Sequence, residues 1–113
     1  YFQTAPRFLT VHNAEGTLHI PLDDICFVDI VRRKLHIHTI DGEYTVYETL
    51  SNIEAALDDP RFFRCHASVL VNLHQVQKVG KTSAQVAGVE VPVSKQHRQE
   101  LVKRLTNALG NMA

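Results

Sequence analysis

The chain is predicted to be a mainly β domain, with antiparallel sheets, one short mid-chain helix and one C-terminal helix. Two observations predict it. Apolar and polar residues alternate through short stretches broken by turn chemistry, as in Leu18, Ile20 and Leu22 against Thr17 and His19. Helical spacing occurs in only two places, 49–57 and 95–109. With so few helices between strands, hairpins must make most connections, and hairpin-linked strands run antiparallel. A length of 113 residues suits one domain with one core.

Phe8 to His12 reads as a first strand, and Asn13-Ala14-Glu15-Gly16 as a turn. Thr17 to Leu22 is the returning strand, with Pro21 placing its end at a sheet edge. Asp23-Asp24 turns the chain. Ile25 to Val31 is nearly all apolar, which predicts a strand covered on both faces. Arg32-Arg33-Lys34 interrupts it. In the next strand, Leu35 to Ile40, strand periodicity puts Leu35, Ile37 and Thr39 on one face and Lys34, His36 and His38 on the other. Asp41-Gly42 is a hairpin signal, and Glu43 to Tyr47 returns.

Leu50, Ile53 and Leu57 then fall at helical spacing, capped by Thr49 or by a Ser51–Glu54 box and stopped at Asp58-Asp59-Pro60. Phe62 and Phe63 should dive into the core. They precede a polar, cationic patch, Arg64 to Ser68, and a strand, Val69 to Val71, closed by Asn72. Hydrogen-bonding side chains pinned at both ends by apolar residues are held stiffly, as a binding site needs. After Val76 and Val79 come Gly80 and two short strands, Ala84–Ala87 and Val89–Val93, around Gly88. Ser94 is a suitable N-cap for the last helix, Lys95 to Leu109, with Leu101, Val102, Leu105 and Leu109 as its apolar stripe and Gly110 as its stop. Tyr1-Phe2-Gln3 matches the end of a protease-cleavage tag. Residues 1–5 are therefore read as tag remnant and linker, 6–110 as the domain and 111–113 as a tail.

Composition narrows the function classes. There is no long apolar run and no signal-peptide pattern, so the expectation is a cytoplasmic domain with no membrane partner. Two cysteines make no disulfide framework, and Cys26 in an apolar run reads as a small buried hydrophobe. Net charge is zero, but residues 1–59 carry four Lys/Arg against ten Asp/Glu, and residues 60–113 carry eight against two. Such asymmetry points to an anionic partner for the basic half, unless the halves interleave in space and cancel.

Enzyme chemistry finds little support, and no catalytic residue is expected. Cys65 and His66 are adjacent, but in extended chain they face opposite ways and cannot pair as nucleophile and base. His36 and His38 share a strand face without an acid or cysteine in a known ligand spacing, so no metal site is expected. The five glycines are scattered turn residues, not a phosphate loop, and no cofactor is expected. Anion binding fits better. Three polar clusters stand at element ends: Arg32, Arg33 and Lys34 with His36; Arg64 with His66 and Ser68; and Ser94, Lys95 and Gln96 with Arg98. The third lies at a helix N-terminus, where free N–H groups attract phosphate. Cations there oppose the helix dipole, which makes sense if they serve something outside the fold.

Several motifs, in order, resemble the LytTR-type DNA-binding domains, the output module of many bacterial response regulators. They are Ile20-Pro21-Leu22-Asp23-Asp24-Ile25-Cys26-Phe27-Val28, then Leu35-His36-Ile37-His38-Thr39 with Asp41-Gly42, then Leu50 to Leu57. Phe62-Phe63-Arg64-Cys65-His66-Ala67-Ser68-Val69-Leu70-Val71-Asn72 and Val91-Pro92-Val93-Ser94-Lys95 with Leu101 complete the set. The resemblance covers about residues 8 to 109. It implies an elongated β fold in which loops, not a recognition helix, read direct-repeat promoter elements in successive major grooves. It further implies two copies on double-stranded DNA, as a homodimer.

By position the resemblance marks the same three clusters, with Asn72 and His66 bracing the loop through bonds to backbone. The family usually has a long polar residue, often Arg, where this chain has Ala67, which offers a thymine methyl a contact but no hydrogen bond. The reading is a sequence-specific DNA-binding output domain of a bacterial transcriptional regulator, part of a longer chain whose receiver or other sensory domain lies elsewhere. The rival is a β-rich protein-interaction module of the same fold with weak or lost DNA binding.

Overall fold

The computed structural model describes residues 7–108. Tyr1–Gln3, read above as a tag remnant, Leu109, expected in the helix stripe, and Gly110, expected as its stop, lie outside the described residues. Ten strands and two α-helices follow in the order β1 (Phe8–Asn13), β2 (Gly16–Pro21), β3 (Ile25–Val31), β4 (Lys34–Thr39), β5 (Gly42–Val46), α1 (Leu50–Leu57), β6 (Phe62–His66), β7 (Val69–Asn72), β8 (Val76–Val79), β9 (Ser83–Val86), β10 (Val89–Pro92) and α2 (Lys95–Ala108). Every strand pair among the described residues is antiparallel. The fold class read from the sequence is the one observed.

A five-stranded sheet, ordered β5-β4-β3-β7-β6, forms the middle layer. The β1–β2 hairpin and α1 cover one face, where Leu9, Val11, Ile20, Val28, Ile37, Leu50, Ile53, Leu57 and Phe62 are buried together. The β8–β10 sheet and α2 cover the other, where Phe27, Phe63, Cys65, Val71, Ala84, Val86, Val93 and Leu101 are buried. The single expected core is thus split in two by the sheet. Adjacent residues of a strand face opposite ways, so Phe62 enters the first core and Phe63 the second. The two rings staple both layers to one strand.

Several local expectations shift. Thr49 is the α1 cap, its hydroxyl accepting the Asn52 N–H at 3.1 Å, and Ser51 lies inside the helix. β3 is covered on both faces only from Ile25 to Val28; Val31 is 46 % exposed, because the outer layers stop short of the strand's end. In α2, Leu101 is fully buried and Leu105 partly so, but Val102 is 41 % exposed. Successive helix residues are 100° apart, and this helix lays only a narrow stripe on the sheet. Arg64 to His66 belongs to a strand, not to a loop, so the loop shrinks to Ala67-Ser68. No helix of the described residues is long and apolar enough to cross a membrane.

Candidate nucleic-acid interface

β3 and β4 are joined by Arg32 and Arg33, with φ of 54° and 67°. Two positive φ values between the paired Val31 and Lys34 make the two-residue turn whose twist matches a hairpin. Asn-Gly usually fills it, so without those residues the sequence shows an interruption rather than a tight turn. Left-handed backbone at a residue with a Cβ costs about 1–2 kcal/mol. Arg32, Arg33 and Lys34 are all exposed, and none has a hydrogen-bond or ion-pair partner among the described residues.

The β6–β7 turn lies beside this one, since the Ile30 N–H donates to the Ser68 carbonyl at 3.0 Å. The α2 N-terminus joins them through a bulge. Arg64 pairs with Leu70 and His66 with Val69, which leaves Cys65 as the extra residue. Its carbonyl, out of the ladder, accepts the Ser94 N–H at 2.9 Å. Three segments separated by about thirty residues each are thus linked by two backbone hydrogen bonds at one end of the central sheet.

Within this group the side chains divide by partner. His66 Nδ1 accepts the Ser68 N–H at 3.1 Å and lies 3.0 Å from the Ser68 hydroxyl. Asn72, 1 % exposed, donates to the Ile25 carbonyl at 2.8 Å and accepts the His74 N–H at 2.9 Å. Both side chains brace backbone. Ser94 stands at the α2 cap position, its carbonyl accepting the His97 and Arg98 N–H groups, but its hydroxyl pairs with His97 Nδ1 instead of a backbone N–H. Lys95 and Gln96 are exposed beside it. Arg98 is turned inward, its Nε donating to the Gly80 carbonyl at 2.7 Å. Arg64 is tied to α1 and to the Ala67 carbonyl. His36 lies farther along β4, its Nδ1 2.8 Å from a Glu43 carboxylate oxygen and 3.2 Å from the Thr45 hydroxyl. On the same face His38 bonds Asp29 at 2.9 Å and stacks on Phe27 at 4.1 Å.

The electrostatics follow the sheet's long direction. Asp23 and Asp24 precede β3, Asp41 turns β4 into β5, and Asp58 and Asp59 close α1, all at the end opposite the Arg32-Arg33 turn. There Arg7 meets Asp59 at 3.2 Å, and Arg61 pairs with both Asp59 and Asp23. Burial works against the Asp59 charge, yet bonds from Arg61 hold its carboxyl below the usual carboxylate range. The zero net charge is therefore a sum over two unlike ends.

A model of the LytTr DNA-binding domain matches residues 15–106. The chain belongs to that family. The sensory transduction protein LytT of Bacillus subtilis is 29 % identical over 103 residues, 86 % of this chain and 43 % of that protein. The LytT of Bacillus anthracis is 27 % identical over 97 residues, 80 % of this chain and 39 % of that protein. The chain thus spans about two-fifths of the length of these curated relatives. In fold it matches the LytTr DNA-binding domain of a methyl-accepting/DNA response regulator from Bacillus cereus, at a TM-score of 0.75 and 21 % identity, covering 89 % of this chain and 98 % of that one.

This LytTr domain also carries features that the sequence did not mark. Lys81 sits in the β8–β9 turn, exposed and without an ion-pair partner among the described residues. Arg98 on Gly80, and the Val93 N–H on the Thr82 carbonyl at 2.9 Å, bring that turn beside the start of α2. A single lysine between turn residues has no pattern to reveal it. Cys65 is fully buried, its thiol 3.5 Å from the Pro92 carbonyl, and burial pushes its pKa up to about 11. Cys26 is buried and raised too, by burial and then by Asp24. Neither thiol is poised as a nucleophile. With both buried, thiol-reactive dye at pH 8 is expected to label the native domain slowly and the urea-unfolded chain at once; rapid native labelling at Cys65 would show that the second core opens readily. Among the described residues no three His, Cys, Asp or Glu side chains form a metal-binding group.

Proposed function

We propose that this LytTr domain is the sequence-specific output module of a bacterial cytoplasmic transcriptional regulator. Its loops read direct-repeat promoter elements in successive major grooves, with two copies on the duplex. One observation carries the reading: unpaired cations from separate segments, Arg32, Arg33, Lys34, Lys81 and Lys95, gather on linked turns at one end, while five aspartates, Asp23, Asp24, Asp41, Asp58 and Asp59, stand at the other. A polyanion approaching that end is attracted without meeting the acidic end at close range. Free N–H groups at the start of α2 suit a phosphate. Gln96 suits an adenine edge, and Arg32 or Arg33 a guanine edge. The signal input belongs to the part of the regulator beyond this domain.

The test is a titration of promoter fragments across salt, with scrambled duplex as control. Binding should weaken steeply as salt rises and favour fragments bearing a direct repeat. Salt-independent binding, or none, would support the protein-interaction reading instead.

Ala67 offers a gain-of-function check. It is exposed at the turn tip, so it is not small because a neighbouring strand demands it. Ala67→Arg should tighten DNA binding by about 1–3 kcal/mol if the new side chain reaches a base, and by less on a phosphate. The gain should shrink with salt while the melting temperature stays within a few degrees. A destabilised, weaker-binding variant would mean that the tip faces protein rather than DNA.

A further inference from the structure

Arg64 is grouped by sequence with the DNA-facing cations, yet its side chain is spent inside the molecule. Nη1 donates to Glu54 Oε1 at 3.2 Å and to Ser51 Oγ at 3.3 Å, both on α1. Nη2 donates to the Ala67 carbonyl at 2.7 Å. The guanidinium therefore spans from α1 to the tip of the β6–β7 turn. Around it the turn's backbone is held group by group. Arg64 takes the Ala67 carbonyl, the His66 ring takes the Ser68 N–H, and the Ile30 N–H takes the Ser68 carbonyl. The Glu54 carboxylate also neutralises the charge that a phosphate would need.

We propose that Arg64 is a positioning residue of the interface, a clamp that sets the His66–Ser68 turn against α1, and that Glu54 belongs to the interface through it. The proposal rests on the DNA-binding reading above. A planar guanidinium can serve a carboxylate on one side and a carbonyl on the other. A lysine ammonium, a point charge on a flexible stem, keeps the charge but not that fork. The same logic extends to α1: through Ser51 and Glu54 the helix holds the loop that meets the DNA.

The prediction has a sign that simple electrostatics does not share. Removing the Glu54 charge should favour a polyanion. If Glu54 seats the clamp, Glu54→Gln instead weakens binding.

Binding of wild type, Arg64→Lys, Arg64→Gln and Glu54→Gln is to be measured across a salt series, together with exchange of the Ser68 amide by NMR and a thermal melt. Arg64→Lys and Arg64→Gln should each lose about tenfold in affinity, as loss of a charged hydrogen bond implies, with the salt slope of wild type. Ser68 exchange should accelerate in both, and Glu54→Gln should bind more weakly than wild type. The clamp is overturned if Arg64→Lys binds like wild type while Arg64→Gln lowers the salt slope by about one, the signature of a lost phosphate contact. It is equally overturned if Glu54→Gln binds more tightly, or if Ser68 exchange is unchanged. Should the wild-type domain show no salt-dependent binding, the proposed function fails, and Ser68 exchange alone decides the clamp.

Discussion

Phe63→Ala should destabilise the domain by about 3–5 kcal/mol, as deletion of a buried aromatic ring does. Phe63 sits in the second core against the β8–β10 sheet and α2. The His97 ring meets it edge-on at 6.3 Å, and the Arg104 guanidinium lies 5.3 Å above its face. Removing the ring opens a cavity and takes away the surface on which the first turns of α2 rest. A domain of this size typically has about 5–15 kcal/mol in all. The variant should thus melt roughly 10 °C or more below wild type and lose DNA affinity, although the Phe63 ring is buried in the core. Phe63→Leu, which refills most of the volume, should recover most of the loss. Phe62→Ala should cost about as much through the first core, while leaving the packing of α2 on Phe63 in place. Urea unfolding followed by circular dichroism measures all three. A loss below about 1 kcal/mol for Phe63→Ala would show that this ring does not hold the second core.

The largest effect on binding is expected from neutralising Arg32, Arg33 and Lys95 together. If each meets one phosphate, the slope of log K against log salt should flatten by about 0.9 per contact. Over a fourfold salt range the triple variant should then be roughly 40-fold less salt-sensitive than wild type. The turn allows a version of this experiment in which stability moves the opposite way. Arg32 and Arg33 hold positive φ at a position that Asn-Gly prefers. Arg32→Asn with Arg33→Gly should relieve the left-handed strain and stabilise the fold by about 1 kcal/mol, while DNA affinity falls. Stability lost along with binding would mean that the arginines hold the turn. Affinity and salt slope both unchanged would remove this turn from the interface. The arrangement fits a strained turn kept for function at a small cost to the fold.

Much of the architecture is legible in the chain because it rests on short-range rules. Strand alternation put Leu35 and Ile37 on the buried face and Lys34, His36 and His38 on the other, as observed. Thr49 could be read as a cap because an N-cap acts within three residues. Phe62 and Phe63 could be read as buried because an aromatic pair at a strand start has little alternative. The family likeness was legible for another reason: its motifs recur in order along the chain.

What the tertiary structure alone decided is which polar residues have anything left to offer. Arg32, Arg64, Lys95 and Arg98 are alike as sequence, each a cation near an element end. In the fold Arg64 meets Glu54, ten residues back, and Arg98 meets Gly80, eighteen residues back, while Arg32 and Lys95 meet no protein partner among the described residues. A sequence prints the charge of a side chain but not the acceptor that folding brings to it. The bulge at Cys65, the gathering of three distant segments and the separation of charge to opposite ends have the same origin. The residues themselves determined most of the strands, both helices and the family. Packing of the two outer layers on the central sheet determined which of its cations remain free to face a polyanion, because hydrogen bonds between segments are satisfied through space and not along the chain.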